Sequence, residues 1–369
     1  MQRRSFLKSG LASGALVTVA GALSTPAVSQ DRREWRLTHA YPKGYPIFGE
    51  APQLIADYVK RASDGRLTIQ VFGAGEIVPA FEAMDATESG TTEMGYGTSY
   101  FWAGKEPALK FITGMPFGLT AQEQNGWFAA GGREICQKVY DRLGVKFFVA
   151  GNSGAQMGGW FNREIDSLND FSGLKMRIPG LGGEVIKAVG ATVVNLPGGE
   201  LLPAMQTGTI NALEWIGPYS DLAFGFHQVA KYYYYPGWQE PSGIFDLFVN
   251  RQAWEGLPDD LKAMIETASV AANAFVLDQL AARHPAALRT LVDDHGVELR
   301  RFSDDTLTGL AKASGEVIND MASQDALSRE LLDSILSFRE NATAFTGVAE
   351  QAVLQARSLD YAYPKAGGG

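Results

Sequence analysis

A few polar residues in the middle of the chain have the chemistry to bind a carboxylate. Arg177 ends the segment Lys175-Met176-Arg177, and its guanidinium offers a planar fork of donors that matches both oxygens of a carboxylate. Further along the chain, Glu214 and Trp215 come at the end of another apolar segment. An arginine on a strand is most often a surface ion-pair residue, so these residues alone leave open both that role and the binding of a carboxylate.

Three more polar residues fall at predicted strand ends or at crossings between two lobes. Gln156 follows a predicted strand, Glu240 follows a tyrosine-rich segment, and Tyr100 could donate a hydrogen bond to a ligand. We expect these side chains to converge with Arg177 and Glu214 on one cleft. The aromatic side chains that could form a wall of that cleft are Tyr100, Phe101, Trp102 and Tyr219.

The charges of this set do not balance. An anionic ligand beside Glu214 and Glu240 would be repelled by about 4 kcal/mol for each close pair at an effective dielectric near 20. Arg177 alone cannot neutralise three negative groups. A glutamate is therefore protonated, or one glutamate points away, or a cation lies between them. Oxygen ligands suit Na⁺ or Ca²⁺ and do not suit zinc.

Strands and glycine-marked turns must position these residues. Apolar alternation around Leu174, Met176 and Ile178 predicts a strand that ends at Pro179-Gly180. Short helices are predicted over 184–188 and 203–207, and further strands over 191–196 and 209–215. Small ligands usually bind at loops that follow the strand ends of open α/β sheets.

This stretch resembles the solute-binding proteins of TRAP (tripartite ATP-independent periplasmic) transporters. The family has a carboxylate-binding arginine on a KxR-type strand, followed by a Glu-x-x-x-Ala-x-Gln-x-Gly turn and helix. Here these motifs are Lys175-Met176-Arg177 and the segment from Glu200 to Gly208. The resemblance spans nearly the whole chain after its first thirty residues.

The resemblance implies a fold and a set of roles. The implied fold is α/β, a two-lobed, type II-like periplasmic binding protein with a cleft between the lobes and a long C-terminal helix. In the 2-oxoacid-binding branch of the family, Arg177 would clamp the substrate carboxylate. The residues implied as cation ligands are Gln156, Glu214, the Trp215 carbonyl and Glu240. Those implied as substrate contacts are Arg177, Gln156, Tyr100, Trp215 and Glu240.

The order of predicted elements also fits two lobes. The first mature residues predict strand, helix and strand over 35–40, 47–61 and 67–71, which favours a parallel sheet covered by helices. Strands over 146–150 and 245–250 would leave and re-enter the first lobe. The predicted segments are lobe I over 30–151, lobe II over 152–242, lobe I again over 243–283, lobe II again over 284–324, and a C-terminal helix over 325–360. A helical pattern over 259–292 is expected to be interrupted at Pro285.

The first residues are typical of an export signal. Arg3-Arg4 precede an uncharged apolar run over 11–23, and small residues allow cleavage before Gln30. We predict a twin-arginine signal peptide over 1–29 and a periplasmic location. The alternative, a transmembrane anchor, would need about 20 apolar residues.

The charge and cysteine content exclude several classes of protein. Removing Arg3, Arg4 and Lys8 lowers the formal net charge from −9 to −12, which disfavours nucleic acid as a partner. Cys136 is the only cysteine, so neither an internal disulfide nor a thiolate metal cluster is expected. Nucleophile-elbow, metalloprotease and phosphate-loop motifs do not occur, and we predict no catalytic residue and no enzyme activity.

The last predicted helix has a sustained apolar repeat. Its apolar residues are Leu327, Leu331, Ile335, Phe338, Ala342, Phe345, Ala349 and Ala352. A mean period near 3.5 residues makes a straight apolar seam that packs along a long partner surface. This surface belongs either to the body of the same chain or to a second subunit in a homodimer.

Together these features predict a periplasmic receptor that binds a 2-oxoacid such as pyruvate with Na⁺ and delivers it to TRAP membrane permease subunits. Two alternatives stay open at this point. One is a receptor for lactate or another 2-hydroxyacid that uses Ca²⁺. The other is an exported enzyme that acts on a small carboxylate.

Overall fold

The computed structural model describes residues 32–364, so the predicted signal peptide lies outside the described residues. The strands are β1 (Arg33–His39), β2 (Leu67–Phe72), β3 (Met94–Gly97), β4 (Val145–Asn152), β5 (Gly159–Phe161), β6 (Lys175–Arg177), β7 (Thr192–Val194), β8 (Ala212–Leu213), β9 (Tyr232–Tyr235), β10 (Ile244–Asn250) and β11 (Glu298–Arg301). The helices are α1 (Glu50–Ala62), α2 (Ala83–Glu88), α3 (Lys110–Thr113), α4 (Ala121–Trp127), α5 (Arg133–Asp141), α6 (Gly180–Ala188), α7 (Gly198–Gln206), α8 (Pro218–Phe224), α9 (Arg251–Glu255), α10 (Asp259–Arg289), α11 (Asp304–Ser323), α12 (Ala326–Val348) and α13 (Glu350–Arg357).

The first sheet has the strand order β2-β1-β3-β10-β4. β1 pairs in parallel with β2 and with β3, and α1 supplies the crossover that a parallel pair requires. β10 returns from much later in the chain and lies antiparallel between β3 and β4. Because β10 is buried on both faces, its sequence reads as the nearly continuous apolar run that predicted a strand here.

The second sheet has the strand order β11-β9-β5-β8-β6-β7. β6, the second strand from one edge, pairs in parallel with β7 and β8, and Arg177 is the last residue of this strand. The strand predicted over 209–215 is mostly wrong, since β8 covers only Ala212–Leu213. The chain leaves the ladder there because the next residues form a turn held by hydrogen bonds from other segments.

Helix α10 corrects a second expectation. It runs unbroken from Asp259 to Arg289 and contains Pro285, where the sequence predicted an interruption. Pro285 lies on the exposed face, and the helix ends four residues later in a wider π turn over 290–294. α10 packs on α1 and β4 beside the first sheet and on α8, which follows β8 of the second sheet.

The predicted C-terminal helix is two helices. α12 ends at Val348, and Ala349, with φ −107° and ψ −100°, separates it from α13. The first half of α12 buries Leu327, Leu331 and Ile335 against the body, while Phe345 is 68% exposed. Among the described residues, the first turns of α12 are therefore buried most fully, and Phe345 is the most exposed large side chain of the seam.

Two sheets flanked by helices confirm the predicted α/β class. The strands of the first sheet come from residues 33–152 and 244–250, and those of the second from 159–235 and 298–301. We keep the exact lobe boundaries given above as a prediction. Within residues 32–364, no helix combines the length and the apolar character that crossing a membrane requires.

Candidate ligand and cation site

A small cavity lies where loops from the two sheets meet. Its volume is about 10 Å³. The cavity is therefore narrow and has room for about one water molecule. Its lining residues are Tyr41, Thr98, Tyr100, Phe101, Thr113, Gln156, Trp215, Ile216, Glu240, Gly243, Ile244 and Phe245.

Four of the six predicted site residues line this cavity: Gln156, Tyr100, Trp215 and Glu240. The other two, Arg177 and Glu214, lie beside Trp215. The Arg177 guanidinium carbon is 4.9 Å from the centre of the Trp215 ring, and Glu214 precedes Trp215 in the chain. The set therefore forms one cluster around Trp215.

Arg177 is held rigidly although it is almost fully buried. It is 1% exposed, its Nε donates to the Leu196 carbonyl at 3.2 Å, and its Nη1 donates to the Glu214 carbonyl at 2.7 Å. Nη2 makes no hydrogen bond within the described part of the chain. A guanidinium fixed by two backbone carbonyls keeps a donor for a ligand at little entropic cost.

A glycine lets the Tyr100 ring approach the backbone closely next to Arg177. Gly180 begins α6 with φ +63°, and a Cβ there would lie 2.9 Å from Cδ1 of Tyr100. A larger residue would be strained by the backbone and would also collide with the ring. Tyr100, from the first lobe, therefore packs directly on the turn that follows β6.

Glu240 and Gln156 form a buried pair at the cavity wall. Gln156 Nε2 donates to Glu240 Oε2 at 2.7 Å and lies 3.2 Å from Ser153 Oγ. Burial raises the pKa of Glu240 to about 8, although the hydrogen bond from Gln156 and the charge of Arg177 oppose this shift. In the absence of a cation, Glu240 is thus mostly protonated at neutral pH.

Glu214 is the second buried acid of the cluster. It is 1% exposed, and its Oε2 lies 3.7 Å from Nη1 of Arg177. Burial and the neighbouring Glu240 raise the pKa of Glu214 well above its usual value, and Arg177 offsets only part of this. The imbalance expected from the sequence is therefore present, with two acids buried around one arginine.

Three buried oxygen atoms near this pair have no hydrogen-bond partner among residues 32–364. They are Oε1 of Gln156, Oε1 of Glu214 and Oε1 of Gln239. Buried acceptors without partners cost about 1–3 kcal/mol each, so such a group calls for an explanation. Acceptor oxygens without donors are the ligands that a hard cation takes, and the residues present therefore fit one.

The ligand set differs from a histidine or cysteine site. No group of three or more His, Cys, Asp or Glu side chains that could hold a metal occurs in the part of the chain that the structure describes. The candidate site instead combines two carboxylates with amide oxygens and a backbone carbonyl. These are hard oxygen donors throughout.

Two of the predicted aromatic wall residues lie elsewhere. Trp102 is buried in the core of the first lobe, and its indole donates to the Phe81 carbonyl at 2.8 Å. The Tyr219 hydroxyl accepts a hydrogen bond from Arg283 at 2.7 Å, on the surface between α8 and α10. Both predictions were wrong because an aromatic cluster in a sequence does not reveal which face of its element meets the cleft.

Sequence reasoning missed the residues that follow the first strands. Tyr41 comes just after β1, Thr98 comes just after β3, and their hydroxyl groups are 2.6 Å apart beside the cavity. Their position at the carboxyl ends of parallel strands was the available signal. Gln239 gave no such signal, because the sequence interpretation assigned the functional role in this segment to its neighbour Glu240.

Comparison with known sequences agrees with this geometry. The profile of the bacterial extracellular solute-binding protein family 7 matches residues 37–325. The chain is 39% identical over 355 residues to a monocarboxylate 2-oxoacid-binding periplasmic protein of Nostoc sp., with 95% of this chain and 97% of that protein covered.

Solved structures give the same result. A TRAP periplasmic solute-binding protein from Pseudoalteromonas atlantica T6c, with bound sodium and pyruvate, superposes with a TM-score of 0.86 at 39% identity, covering 89% of this chain and 100% of that chain. A TRAP transporter solute-binding protein from Bordetella bronchiseptica RB50 has a TM-score of 0.86 at 35% identity, covering 88% of this chain and 97% of that chain. It is a mixed-occupancy dimer with copurified calcium and picolinate at one active site and an apo site.

The chain belongs to the bacterial extracellular solute-binding protein family 7, and it is a solute-binding protein of the TRAP type. The predicted family, fold class and absence of enzyme activity are thereby confirmed, since the family and its relatives are solute receptors. The periplasmic location that the sequence predicted also follows from the family.

Proposed function

We propose that this receptor binds a small 2-oxo monocarboxylate, of which pyruvate is the simplest, together with Na⁺ or Ca²⁺, and delivers it to a TRAP membrane permease. The observation that carries the proposal is the group of unpartnered buried oxygens on Gln156, Glu214 and Gln239. Relatives of known structure bind sodium with pyruvate or calcium with picolinate, which supports an acid and a cation held together.

In this proposal the acid and the cation complete each other's contacts. Arg177 clamps the carboxylate, while Gln156, Glu214, the Trp215 carbonyl and Glu240 hold the cation. The carboxylate and keto oxygens of the acid then fill the remaining cation positions. Tyr100 donates a hydrogen bond to the acid, and the Trp215 ring forms one wall.

The cation resolves the charge imbalance of the site. Without it, the acid would face two glutamates and one arginine, and proton uptake by the glutamates would be the remaining way to reduce repulsion. With it, both glutamates are ionised and the buried charges nearly cancel. This is why we expect acid binding to require a cation.

The narrow cavity favours a small acid. It has room for about one water molecule, so a ligand can enter only if the two lobes separate. Short-chain acids need the least widening. A 2-hydroxyacid such as lactate has the same chelating oxygens, and the calcium with picolinate in a relative keeps this alternative open.

The proposal can be tested by thermal unfolding of the mature protein after treatment with a chelator and dialysis. Pyruvate, longer 2-oxoacids, lactate, a dicarboxylate and a sugar acid would each be added with Na⁺, with Ca²⁺ or with neither. A ligand at about 100 times its Kd adds about 2.7 kcal/mol to stability, which gives a clear rise in Tm. We expect the largest rise with 2-oxoacids, and only when a cation is present. A rise that is independent of cation would contradict the cation site, and a rise with lactate alone would replace the 2-oxoacid with a 2-hydroxyacid.

We also propose that the receptor forms a homodimer through its C-terminal helices. Phe345 and Val348 near the end of α12 and Leu354 on α13 are 68%, 77% and 59% exposed, so these helices present large apolar side chains that the described part of the chain does not cover. A relative of known structure is a dimer. Mass measurement in solution tests this, and a monomer at micromolar concentration would contradict it.

The export route is a proposal from sequence alone. Arg3 and Arg4 form the twin-arginine pair. Replacing both with lysine should block export by that route while leaving general secretion possible. Cell fractionation would then find the precursor in the cytoplasm, and unchanged periplasmic protein would contradict the twin-arginine route.

A further inference from the structure

We propose that Asp221 is a positioning residue of the cation site, because its carboxylate fixes the backbone turn that presents the Trp215 carbonyl. The inference rests on the proposed function and adds a residue that contacts neither the acid nor the cation. Asp221 lies in the first turn of α8, is 1% exposed and does not line the cavity.

One carboxylate oxygen of Asp221 holds the turn. Oδ1 accepts hydrogen bonds from the backbone N–H groups of Ile216 at 3.3 Å and Gly217 at 3.0 Å. The Ser220 hydroxyl adds a third donor at 3.3 Å. Ile216 and Gly217 directly follow Trp215, so the orientation of the Trp215 peptide depends on this contact.

The other oxygen anchors Asp221 to the second sheet. Oδ2 accepts from the indole N–H of Trp160 on β5 at 2.9 Å and from the hydroxyl of Tyr233 on β9 at 2.7 Å. Both of these side chains are fully buried, and their rings stack with centres 4.0 Å apart. The carboxylate therefore connects a rigid part of the sheet to the turn.

Two further hydrogen bonds locate the same turn from its other side. The Glu214 N–H donates to the Arg177 carbonyl at 2.9 Å, and the Met157 N–H donates to the Ile216 carbonyl at 2.9 Å. Met157 follows Gln156 directly. The turn is thus connected at its start to the strand of the carboxylate clamp, in its middle to the segment of the amide ligand, and at its end to Asp221.

This arrangement predicts how the site fails when Asp221 is removed. The N–H groups of Ile216 and Gly217 would lose their acceptor in a buried place, and the turn would rotate to find other partners. Because cation ligands need accurate placement, a shift of the Trp215 carbonyl would weaken cation binding. The loss of cation affinity would come from the bonds on Oδ1. Of the hydrogen bonds that Asp221 accepts, those on Oδ1 reach the turn, whereas those on Oδ2 reach the second sheet.

Comparison of two variants separates positioning from general stability. Asp221→Ala removes all the hydrogen bonds, whereas Tyr233→Phe removes one bond to Oδ2 and leaves the bonds to the turn. Both should lower the Tm of the ligand-free protein. Calorimetric titration with Ca²⁺ in the presence of pyruvate should show a loss of at least about tenfold for Asp221→Ala and a change within about twofold for Tyr233→Phe. Asp221→Asn, which keeps an acceptor facing the turn, should recover most of the affinity.

The outcomes distinguish this inference from the proposed function. If wild-type protein binds neither Ca²⁺ nor pyruvate, the proposed function fails. If wild type binds both and Asp221→Ala binds equally well, or if Tyr233→Phe loses as much as Asp221→Ala, positioning by Asp221 is overturned. Should Asp221→Ala not fold, hydrogen exchange of wild type decides: slow exchange at Ile216 and Gly217 before ligand is added supports a turn fixed in advance, and fast exchange overturns it.

Discussion

Arg177 donates to the backbone oxygen of Glu214 at 2.7 Å while its Nη1 stays 3.7 Å from the Glu214 carboxylate. The arginine is thus bonded to the main chain of its acidic neighbour and only loosely paired with the side chain. This geometry fixes the Arg177 guanidinium and leaves the Glu214 carboxylate able to bind another group. Glu214 keeps an oxygen without a partner, and the proposed cation would bind there.

Arg177→Lys tests the carboxylate clamp. Lysine keeps the positive charge but loses the planar fork and the Nε bond to Leu196. We expect pyruvate affinity at saturating cation to fall by about 10- to 100-fold, which corresponds to one or two charge-assisted hydrogen bonds. Isothermal titration calorimetry measures this change in pyruvate affinity. Arg36→Lys, in β1 with a half-exposed side chain, is the matched control and should bind normally. A change within about twofold for Arg177→Lys would rule out the clamp.

Glu240→Gln should have opposite effects on stability and on binding. The amide keeps the shape of the carboxyl group but removes a charge that is costly to bury near Glu214. We therefore expect the ligand-free protein at alkaline pH to gain stability, while Ca²⁺ affinity in the presence of pyruvate falls at least about tenfold. Thermal unfolding and calorimetry measure the two effects.

Glu34→Gln, at an exposed position on β1, is the control for the same chemical change. It should alter neither quantity. Unchanged Ca²⁺ affinity in Glu240→Gln would show that Glu240 is not a cation ligand. A loss of both stability and affinity would indicate a structural role instead.

The site residues that could be predicted from the sequence are those carried by local motifs. Arg177 ends the short strand β6, Gln156 comes soon after β4, and Glu240 comes shortly before β10, so short segments were enough. Asp221 could not be predicted in this way. Its acceptor role depends on Trp160, which is 61 residues away in sequence and meets it only in the folded sheet.

Helices and strands that depend on contacts between distant residues could not be predicted from the sequence either. Strand β10 was predictable because burial on both faces leaves an apolar run. β8 covers only two residues, and soon after it the N–H groups of Ile216 and Gly217 donate to the Asp221 carboxylate, a contact that no local pattern predicts. Pro285 suggested a break in α10, but the position is exposed, and tertiary packing elsewhere along α10 outweighs the lost hydrogen bond.

Lys110 and Glu184 form an ion pair between α3 and α6, and we expect this pair to slow ligand release. Lys110 Nζ on α3 lies 2.6 Å from Glu184 Oε1 on α6, and both border a surface depression that also contains Tyr100 and Gly180. The pair is partly exposed, so its contribution is about 0.2–1 kcal/mol. Lys110→Ala should raise the dissociation rate of pyruvate up to about fivefold, measured by stopped-flow tryptophan fluorescence.

The charge-reversed double variant Lys110→Glu with Glu184→Lys is the matched control. It restores an opposite-charge pair and should return the dissociation rate toward that of wild type. High salt should reduce the difference between wild type and Lys110→Ala, since partly exposed pairs are screened. Equal dissociation rates in wild type and Lys110→Ala at low salt would exclude a role in closure.

Asp246 predicts how the stability of the ligand-free protein depends on pH. It is fully buried on β10 and accepts a hydrogen bond from the Tyr140 hydroxyl at 2.6 Å. Burial raises the pKa of Asp246 from 3.8 to about 8, although hydrogen bonds from Tyr140 and Ser99 oppose the shift. The folded state therefore binds a proton that the unfolded state has released, and stability falls as pH rises from about 4 to about 8.

Asp246→Asn removes this dependence while keeping the shape of the protonated acid. Urea unfolding across that pH range gives the free energy of unfolding at each pH. This free energy should fall less steeply with pH than in wild type, by at most about 1.4 kcal/mol per pH unit. The variant should therefore become more stable than wild type near the alkaline end. Glu214 and Glu240 also have raised pKa values, so a slope remains in Asp246→Asn and should decrease further when Glu240→Gln is added. Parallel stability curves for wild type and Asp246→Asn would mean that Asp246 is ionised in the folded protein throughout, because only a group that differs in protonation between the folded and unfolded states contributes to the slope.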